Sequence, residues 1–346
     1  MRKFTIALDV MGGDLGPHIP ILAAKKSLQL HTNLSILIVG NQTLLHPFLQ
    51  KHNLLNHPRL HVIHTDTFIS MEDNPVYVLR HVSGTSMHLA LDLVAQGKAD
   101  ACVSAGNTGA LMLLAKQALK TLPGISRPAL VSGLPNNCAG HTYLLDLGAI
   151  LQCDSDTLFN FAIMGSVLCE KVEQIKSPTV ALLNVGKENN KGNDIIKRCA
   201  DLLKQTPHVN YIGFIEANDI FSCQADVVVT DGFSGNVALK SYEGMGRVYL
   251  SQLNKALNTN FYSKLLGRLL NPILKKQLKH LHPDMYNGAS LIGLRGIVVK
   301  SHGSANEVAF TYAIEQAIKE IQWQIPACVA ETLETVLSER DCLSHE

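Results

Sequence analysis

This chain has little in excess, and its shortages set the first limits. Only 5% of its 346 residues are aromatic, with a single tryptophan. No aromatic–basic interleaving offers a platform for stacking single-stranded nucleic acid. Neither sign of charge dominates: 30 Lys and Arg face 29 Asp and Glu, a formal net charge of +1. That balance excludes a globally basic nucleic-acid binder and an acidic tail protein alike. No run of 18 or more apolar residues is present to span a membrane. Met1–Val10 holds two basic residues and a short apolar run broken by Asp9. It reads as a first strand, not a signal peptide. There is no C-x-x-C pair, no Walker A sequence and no G-x-G-x-x-G at a strand–helix junction, so zinc-ribbon, P-loop and dinucleotide-binding signatures are all missing. Gly232-Phe233-Ser234-Gly235 resembles a nucleophile elbow, but its second glycine comes one residue early. The eight cysteines are scattered, and the expectation is reduced, mostly buried thiols in a cytoplasmic protein. His57, His61 and His64 crowd together, but His61 and His64 would point to opposite faces of a strand. No metal site and no cofactor are expected.

Hydrophobic residues make up 46% and charged residues 17%, enough apolar side chain for a sizeable core. One pattern recurs: a short apolar run, a Gly-rich turn, then helical periodicity. The runs are Thr5–Val10, Leu34–Val39, Ala101–Val103, Tyr143–Asp146, Val180–Asn184 and Val227–Thr230. Runs without polar alternation suit strands buried on both faces. Helical segments include Ile19–Leu30, Ser86–Ala95, Thr108–Leu119, Thr157–Val172 and Asp194–Leu203. The alternation predicts an α/β, Rossmann-like layered fold with a largely parallel sheet. No long linker divides the chain, so residues 1–346 are expected to form one domain.

One stretch departs from this pattern. Gly244–Pro283 contains no Asp or Glu but holds Arg247, Lys255, Lys264, Arg268, Lys275, Lys276 and Lys279. Leu250, Leu253 and Leu257 share a helical face, and Leu265, Leu266, Leu269, Leu270, Ile273 and Leu274 form a second stripe. Residues 244–283 are therefore expected to project as a basic amphipathic helical hairpin, with Pro272 kinking or restarting its second helix. The near-neutral total hides a mildly acidic body carrying a basic projection.

Ligands of such sheets bind where strands end and helices begin, where glycine allows close backbone approach and free N–H groups favour anions. Three turns are chemically loaded. Asp9, Gly12, Gly13 and Asp14 end the first strand. Ser104, Gly106, Asn107 and Thr108 form a candidate anion nest, and Asp231, Ser234, Gly235 and Asn236 form a similar turn. Lys187 and Lys191 add cations after a fourth strand, and His302 lies in a small-residue turn before a helix. Each also has a purely structural reading, as a helix cap, a tight turn or a solvated side chain.

These segments resemble, in order, the phosphate acyltransferase (PlsX) family. The matching stretches are Ala7–Pro17, Ser104–Ala110, Arg127–Leu130, Leu145–Ala149, Asn184–Gly192, Gly213–Asn218, Thr230–Lys240 and Asn287–Asn306. The resemblance implies transfer of a long fatty acyl chain from acyl carrier protein to inorganic phosphate, giving acyl phosphate for phospholipid synthesis. A membrane-bound glycerol-3-phosphate acyltransferase would consume the product. It also implies a homodimer with a fold like that of isocitrate and isopropylmalate dehydrogenases and of phosphotransacetylase. There is one departure. The family usually reads Asp-Leu-Gly-Ala-Asn where this chain has Asp146-Leu147-Gly148-Ala149-Ile150. Ile150 is given no site role, and Asp146 is kept as a candidate.

For that reaction phosphate is its own nucleophile, so positioning and electrostatics can supply most of the acceleration. Lys191 is then the expected counter-charge, Asn236 an oxyanion donor and His302 a proton donor to the leaving thiolate. Ser104, Gly106, Asn107 and Thr108 would cradle phosphate, while Asp9, Asp14 and Asp231 orient lysines or loop N–H groups. Lys255, Lys264, Arg268, Lys275 and Lys276 are the expected contacts to an anionic membrane surface or the acidic carrier, which would place the enzyme peripherally on the membrane. Two alternatives remain: an acyl-CoA enzyme of the phosphotransacetylase type, and a non-catalytic membrane-associated scaffold for the carrier protein.

Overall fold

The computed structural model describes residues 3–277 and 283–344. Eleven strands form one sheet. In chain order they are β1 (Phe4–Asp9), β2 (Leu34–Gly40), β3 (Leu60–His64), β4 (Ala101–Ser104), β5 (Ala129–Pro135), β6 (His141–Leu145), β7 (Thr179–Leu183), β8 (Asn210–Ile215), β9 (Val227–Val229), β10 (Ala289–Ile292) and β11 (Ile297–Lys300). Their spatial order is β3-β2-β1-β4-β11-β10-β5-β6-β9-β7-β8. Seven of the ten pairings are parallel, and β11–β10, β10–β5 and β5–β6 are antiparallel. The expected α/β class and largely parallel sheet are present.

Three successive antiparallel steps reverse the sheet's polarity. The strands β1, β2, β3, β4 and β11 end at one rim, and β6, β7, β8 and β9 end at the other. Apolar composition builds both halves in the same way: β4 and β9 are buried along their whole lengths, as strands covered by helices on both faces must be.

The helices are α1 (His18–Leu30), α2 (Gln42–Lys51), α3 (Pro75–His81), α4 (Ser86–Ala95), α5 (Thr108–Leu119), α6 (Ser155–Glu173), α7 (Asp194–Lys204), α8 (Gly232–Leu257), α9 (Phe261–Gln277), α10 (Glu307–Gln322) and α11 (Ile325–Ser344). On one face, α1 and α10 cover the first half of the sheet around Ile6, Ile36, Phe310 and Ile314. On the same basis α6 and α11 cover the second half around Leu145, Phe159 and Val227. A third cluster, with Ala7, Cys102, Leu114, Val298 and Val228, runs across both halves and includes α4 and α5 residues.

Helix α8 starts at Gly232, so the basic stretch is the distal part of a 26-residue helix followed by α9. Helix α9 runs through Pro272 without the expected restart. Lys255, Lys264 and Arg268 are exposed. Lys279 and the side chains of Lys275 and Lys276 lie outside what the structure describes. Met245, Tyr249, Phe261 and Tyr262 present 65 to 81% of their surface to solvent, so this pair of helices exposes large apolar groups beside its cations.

The expectation of uniformly reduced thiols needs correction. Cys138 and Cys223 form a disulfide across 85 residues of sequence. The tip of the β5–β6 hairpin docks on the segment before β9, where Asn137 N donates to Phe221 O at 3.0 Å. Cys102, Cys153, Cys169 and Cys199 are free and buried.

A second buried polar group lies on α10. Glu320 is 3% exposed, accepts from Gln316 Nε2 at 2.9 Å and from the Ser290 hydroxyl, and burial pushes its carboxyl up to about 7. Its native pKa exceeds the unfolded value, so this site's stabilisation is complete at low pH and is lost as pH rises through about 7. Glu320→Gln should therefore gain stability over the wild type by roughly 3 kcal/mol between pH 5 and pH 8. Urea unfolding at the two pH values checks this, and a pH-independent difference would remove Glu320 as the source.

Candidate functional site

The parallel register aligns Asp9, Ser104 and Lys300 in one row across the ends of β1, β4 and β11. Ser104 Oγ donates to Asp9 Oδ2 at 2.6 Å, and Ser104 Oγ accepts from Gly106 N at 3.0 Å. The Met11 N–H also reaches Asp9 Oδ1, at 3.3 Å. Asp9 is 1% exposed. Burial raises its pKa, opposed by the Ser104 and Ser86 hydroxyls, the Met11 N–H and the Lys300 charge. Burial and Asp9 together push the neighbouring Cys102 thiol up, so it supplies no thiolate nucleophile.

Above this row three turns close on one another. A Cβ on Gly12 would lie 2.6 Å from Gly106 Cα, so the first two turns meet backbone to backbone, as only glycine permits there. Asp14 N donates to Gly303 O at 2.9 Å, which ties in the third turn. Gly13 is looser, since a Cβ there would make ordinary contacts. Helices α1, α5 and α10 start from these turns. Asn107 caps α5 by accepting from Ala110 N, and its amide donates to Met71 O and Asp73 O at 3.1 and 3.0 Å. That side chain is fully committed to holding the loop, whereas the Thr108 hydroxyl has no partner among the described residues.

Behind His302, Asn287 accepts from its N–H at 2.8 Å and donates to Ser301 Oγ and Ala309 O. The His302 Nδ1 lies 2.9 Å from Ser304 Oγ and 3.3 Å from Ser304 N. Asn287 also lines a groove of about 460 Å3 with His141, Tyr143, Glu173 and Tyr286. There His141 and the Tyr143 hydroxyl hold the Glu173 carboxyl down at about 2.

The remaining candidates gather at the opposite rim. Asp146 is fully buried. It accepts from Leu130, Gly148 and Ala149 N at Oδ1 and from Ile150 N at Oδ2, over 2.7 to 3.3 Å. Burial nonetheless raises its pKa against those four donors. Ile150 O accepts from Gly232 N at 2.8 Å. The Ile150 backbone thus completes the turn without a side-chain amide. Asp231 caps α8, taking Ser234 N at 2.7 Å and the Ser234 hydroxyl at 3.2 Å. A Cβ on Gly235 would lie 2.0 Å from Asp146 O, so α8 enters directly against the turn, with Asn236 over Gly148. Lys187 Nζ is engaged with Asp219 Oδ2 at 2.8 Å and Gln224 Oε1 at 3.2 Å. Lys191 is exposed, and its ammonium has no partner among the described residues.

Helix α8 connects the rims. Asn236 and Lys240 lie one turn apart on a shared face. Asn236 overlies the Asp146 turn, and the Lys240 charge acts on Lys300. The sequence reading does not place Lys300 in the site. A lysine closing the apolar run Ile297–Val299 instead of a polar loop was the available signal.

The chain matches a protein family described as "Fatty acid synthesis protein" over residues 4–328. It is 75% identical to a phosphate acyltransferase of Psychromonas ingrahamii over 346 residues, covering all of both chains. It is 51% identical to one of Shewanella woodyi, covering 97% of this chain and 98% of the relative. Among solved structures it is similar to a phosphotransacetylase from Streptococcus pyogenes, with a TM-score of 0.61 at 17% identity, covering 96% of this chain and 94% of the other. A phosphotransacetylase from Staphylococcus aureus gives 0.59 at 18%, covering 93% and 94%. At these identities the structures speak for the fold alone.

The Asp146 turn yields a direct test. Asp146→Asn replaces an acceptor of four N–H groups by a side chain that must present its own N–H to some of them. Loss of about 2–3 kcal/mol of unfolding free energy is expected, measured by denaturant titration. An unchanged midpoint would show that the turn holds without the carboxylate.

Proposed function

The chain belongs to the PlsX family of phosphate acyltransferases, and from that premise we propose that its acyl donor is a long-chain acyl thioester of acyl carrier protein. The product is then an acyl phosphate, which a membrane-bound glycerol-3-phosphate acyltransferase would use in phosphatidic acid synthesis. The observation that carries the reading is the convergence of three turns at the ends of β1, β4 and β11, beside the starts of three helices. Helix N-termini and close backbone approach suit a small, multiply charged anion such as phosphate.

The chemistry needs no protein nucleophile. A phosphate oxygen attacks the thioester carbonyl, a tetrahedral oxyanion forms, and the carbon–sulfur bond breaks to release thiolate. Gly106, Thr108 and the Gly12–Gly13 turn form the phosphate side; Ser104, whose hydroxyl proton goes to Asp9, and Asn107 hold that loop in place instead of meeting phosphate as expected. Asp9 and Asp14 organise N–H groups and cations instead of meeting the anion, which they would repel. His302, in its protonated form, is the proton donor to the departing thiolate in this reading. Asn236 is the oxyanion donor on α8. Of the two lysines at the other rim, Lys191 is the one free to meet developing negative charge, because Lys187 is engaged by Asp219. Asp231, Ser234 and Gly235 shape the α8 entry that presents Asn236.

The test is mass-spectrometric detection of acyl phosphate from acyl carrier protein substrate and phosphate, run beside acyl-CoA. Acyl phosphate from the carrier substrate is expected, with Lys191→Ala lowering turnover about a hundredfold. Equal or better use of short acyl-CoA would favour the phosphotransacetylase-type reading. Carrier binding without product would favour a scaffold, and undiminished Lys191→Ala turnover would remove that residue from the mechanism.

The α8–α9 pair supports a second part of the proposal. Its apolar stripe forms a homodimer contact, while the exposed Lys255, Lys264 and Arg268 face an anionic membrane or the carrier. Among the described residues no helix is long and apolar enough to cross a membrane. Co-sedimentation with anionic vesicles should fall steeply as salt is raised. Salt-insensitive binding, or none, would count against an electrostatic membrane contact.

A further inference from the structure

We propose that the Lys300 ammonium is the fixed cation of the phosphate site at the β1–β4–β11 rim, an inference that rests on the phosphate-binding part of the reading above. Lys300 is 8% exposed, which is unusual for a lysine unless its charge is compensated. Its Nζ donates to Ser301 O and, at 3.5 Å, to Ala105 O. An ammonium has three N–H donors, so one remains for a ligand. The two carbonyls belong to two of the three converging turns, and the third turn supplies Asp14. The backbone thus aims the charge at the space those turns surround.

The charged groups facing Lys300 are Asp9 at the end of β1, Asp14 in the turn beyond it and Lys240 on α8. The carboxylates favour its protonated form, while burial and Lys240 oppose it. Burial dominates, bringing the group down to about 8. Lys300 is therefore charged below about pH 8 and loses its charge above it. A bound anion would favour the protonated form, so phosphate affinity should fall as pH rises through the free-state value. Inorganic phosphate becomes more fully dianionic as pH rises through that range, which strengthens its attraction to a cation, so binding of the dianion would not weaken on its own account. Lys191, exposed at the other rim, would give no such dependence on Lys300.

The experiment measures inorganic phosphate binding by the full chain, without acyl donor, by calorimetry from pH 7.5 to 9.5. Affinity should fall about tenfold or more across that range. Lys300→Arg, which stays charged, should extend binding to higher pH. Lys300→Met should raise the KM for phosphate about a hundredfold while changing the KM for the acyl donor less than threefold. A purely structural lysine would lower stability without that split. Wild-type affinity that is flat with pH, no phosphate binding at any pH, or a folded Lys300→Met with normal phosphate KM would each overturn the inference. Loss of the phosphate monoanion would lower affinity equally in Lys300→Arg, so that comparison assigns the fall, and a flat wild-type titration overturns the inference even if neither variant folds. Lys300-dependent phosphate binding by a protein that makes no acyl phosphate would instead overturn the acyl-transfer reading and leave this inference standing.

Discussion

Placing a carboxylate and an ammonium in one buried row is the constraint around which this rim is built. Asp9 and Lys300 both leave water, and each weakly favours the charged form of the other. Asp9 is held by Ser104 and the Met11 N–H, and Lys300 by two backbone carbonyls. Burying two charges on either side of Ser104 contributes little net stability once desolvation is counted. Its value here lies in position. The row fixes the ends of three adjacent parallel strands in register, and the three turns that leave them inherit that alignment. Gly12 can meet Gly106, and Asp14 can meet Gly303, because the strands beneath are locked.

The reversal of polarity at β10, β5 and β6 determines how far this arrangement reaches. Had the sheet stayed parallel, every strand–helix turn would have opened on one rim. Instead the Asp146 and Asp231 turns open on the other, and α8 carries Asn236 and Lys240 from one toward the other. The Asp146 carboxylate, saturated by four N–H groups, is an anchor for that helix. It places α8 and leaves no acceptor to offer a ligand.

Much of this was legible in the residues, because buried strands and capped helices have local causes. Ser86–Ala95 and Thr108–Leu119 match their expected bounds, and Asn107 caps where its sequence position suggests. Strand direction was not legible: an apolar run looks the same whether its neighbour is parallel or antiparallel. Strand β5 was hidden by Gly133 and Pro135, which interrupt its apolar run. The Cys138–Cys223 disulfide has no spacing motif, since it depends on a hairpin meeting a distant loop. Lys300 was overlooked because a lysine ending an apolar run reads as solvated, and only the register with Asp9 and Ser104 buries it. Ile150 departs from the family's usual residue, yet its main chain makes the contacts that hold the turn.

A crystal structure with inorganic phosphate bound tests this organisation most directly. Phosphate should lie against Lys300 Nζ, within the turns that contain Gly12, Ser104 and Gly303. Phosphate held instead by Lys187 and Lys191 at the opposite rim, with Lys300 still bound only to protein oxygens, would contradict it.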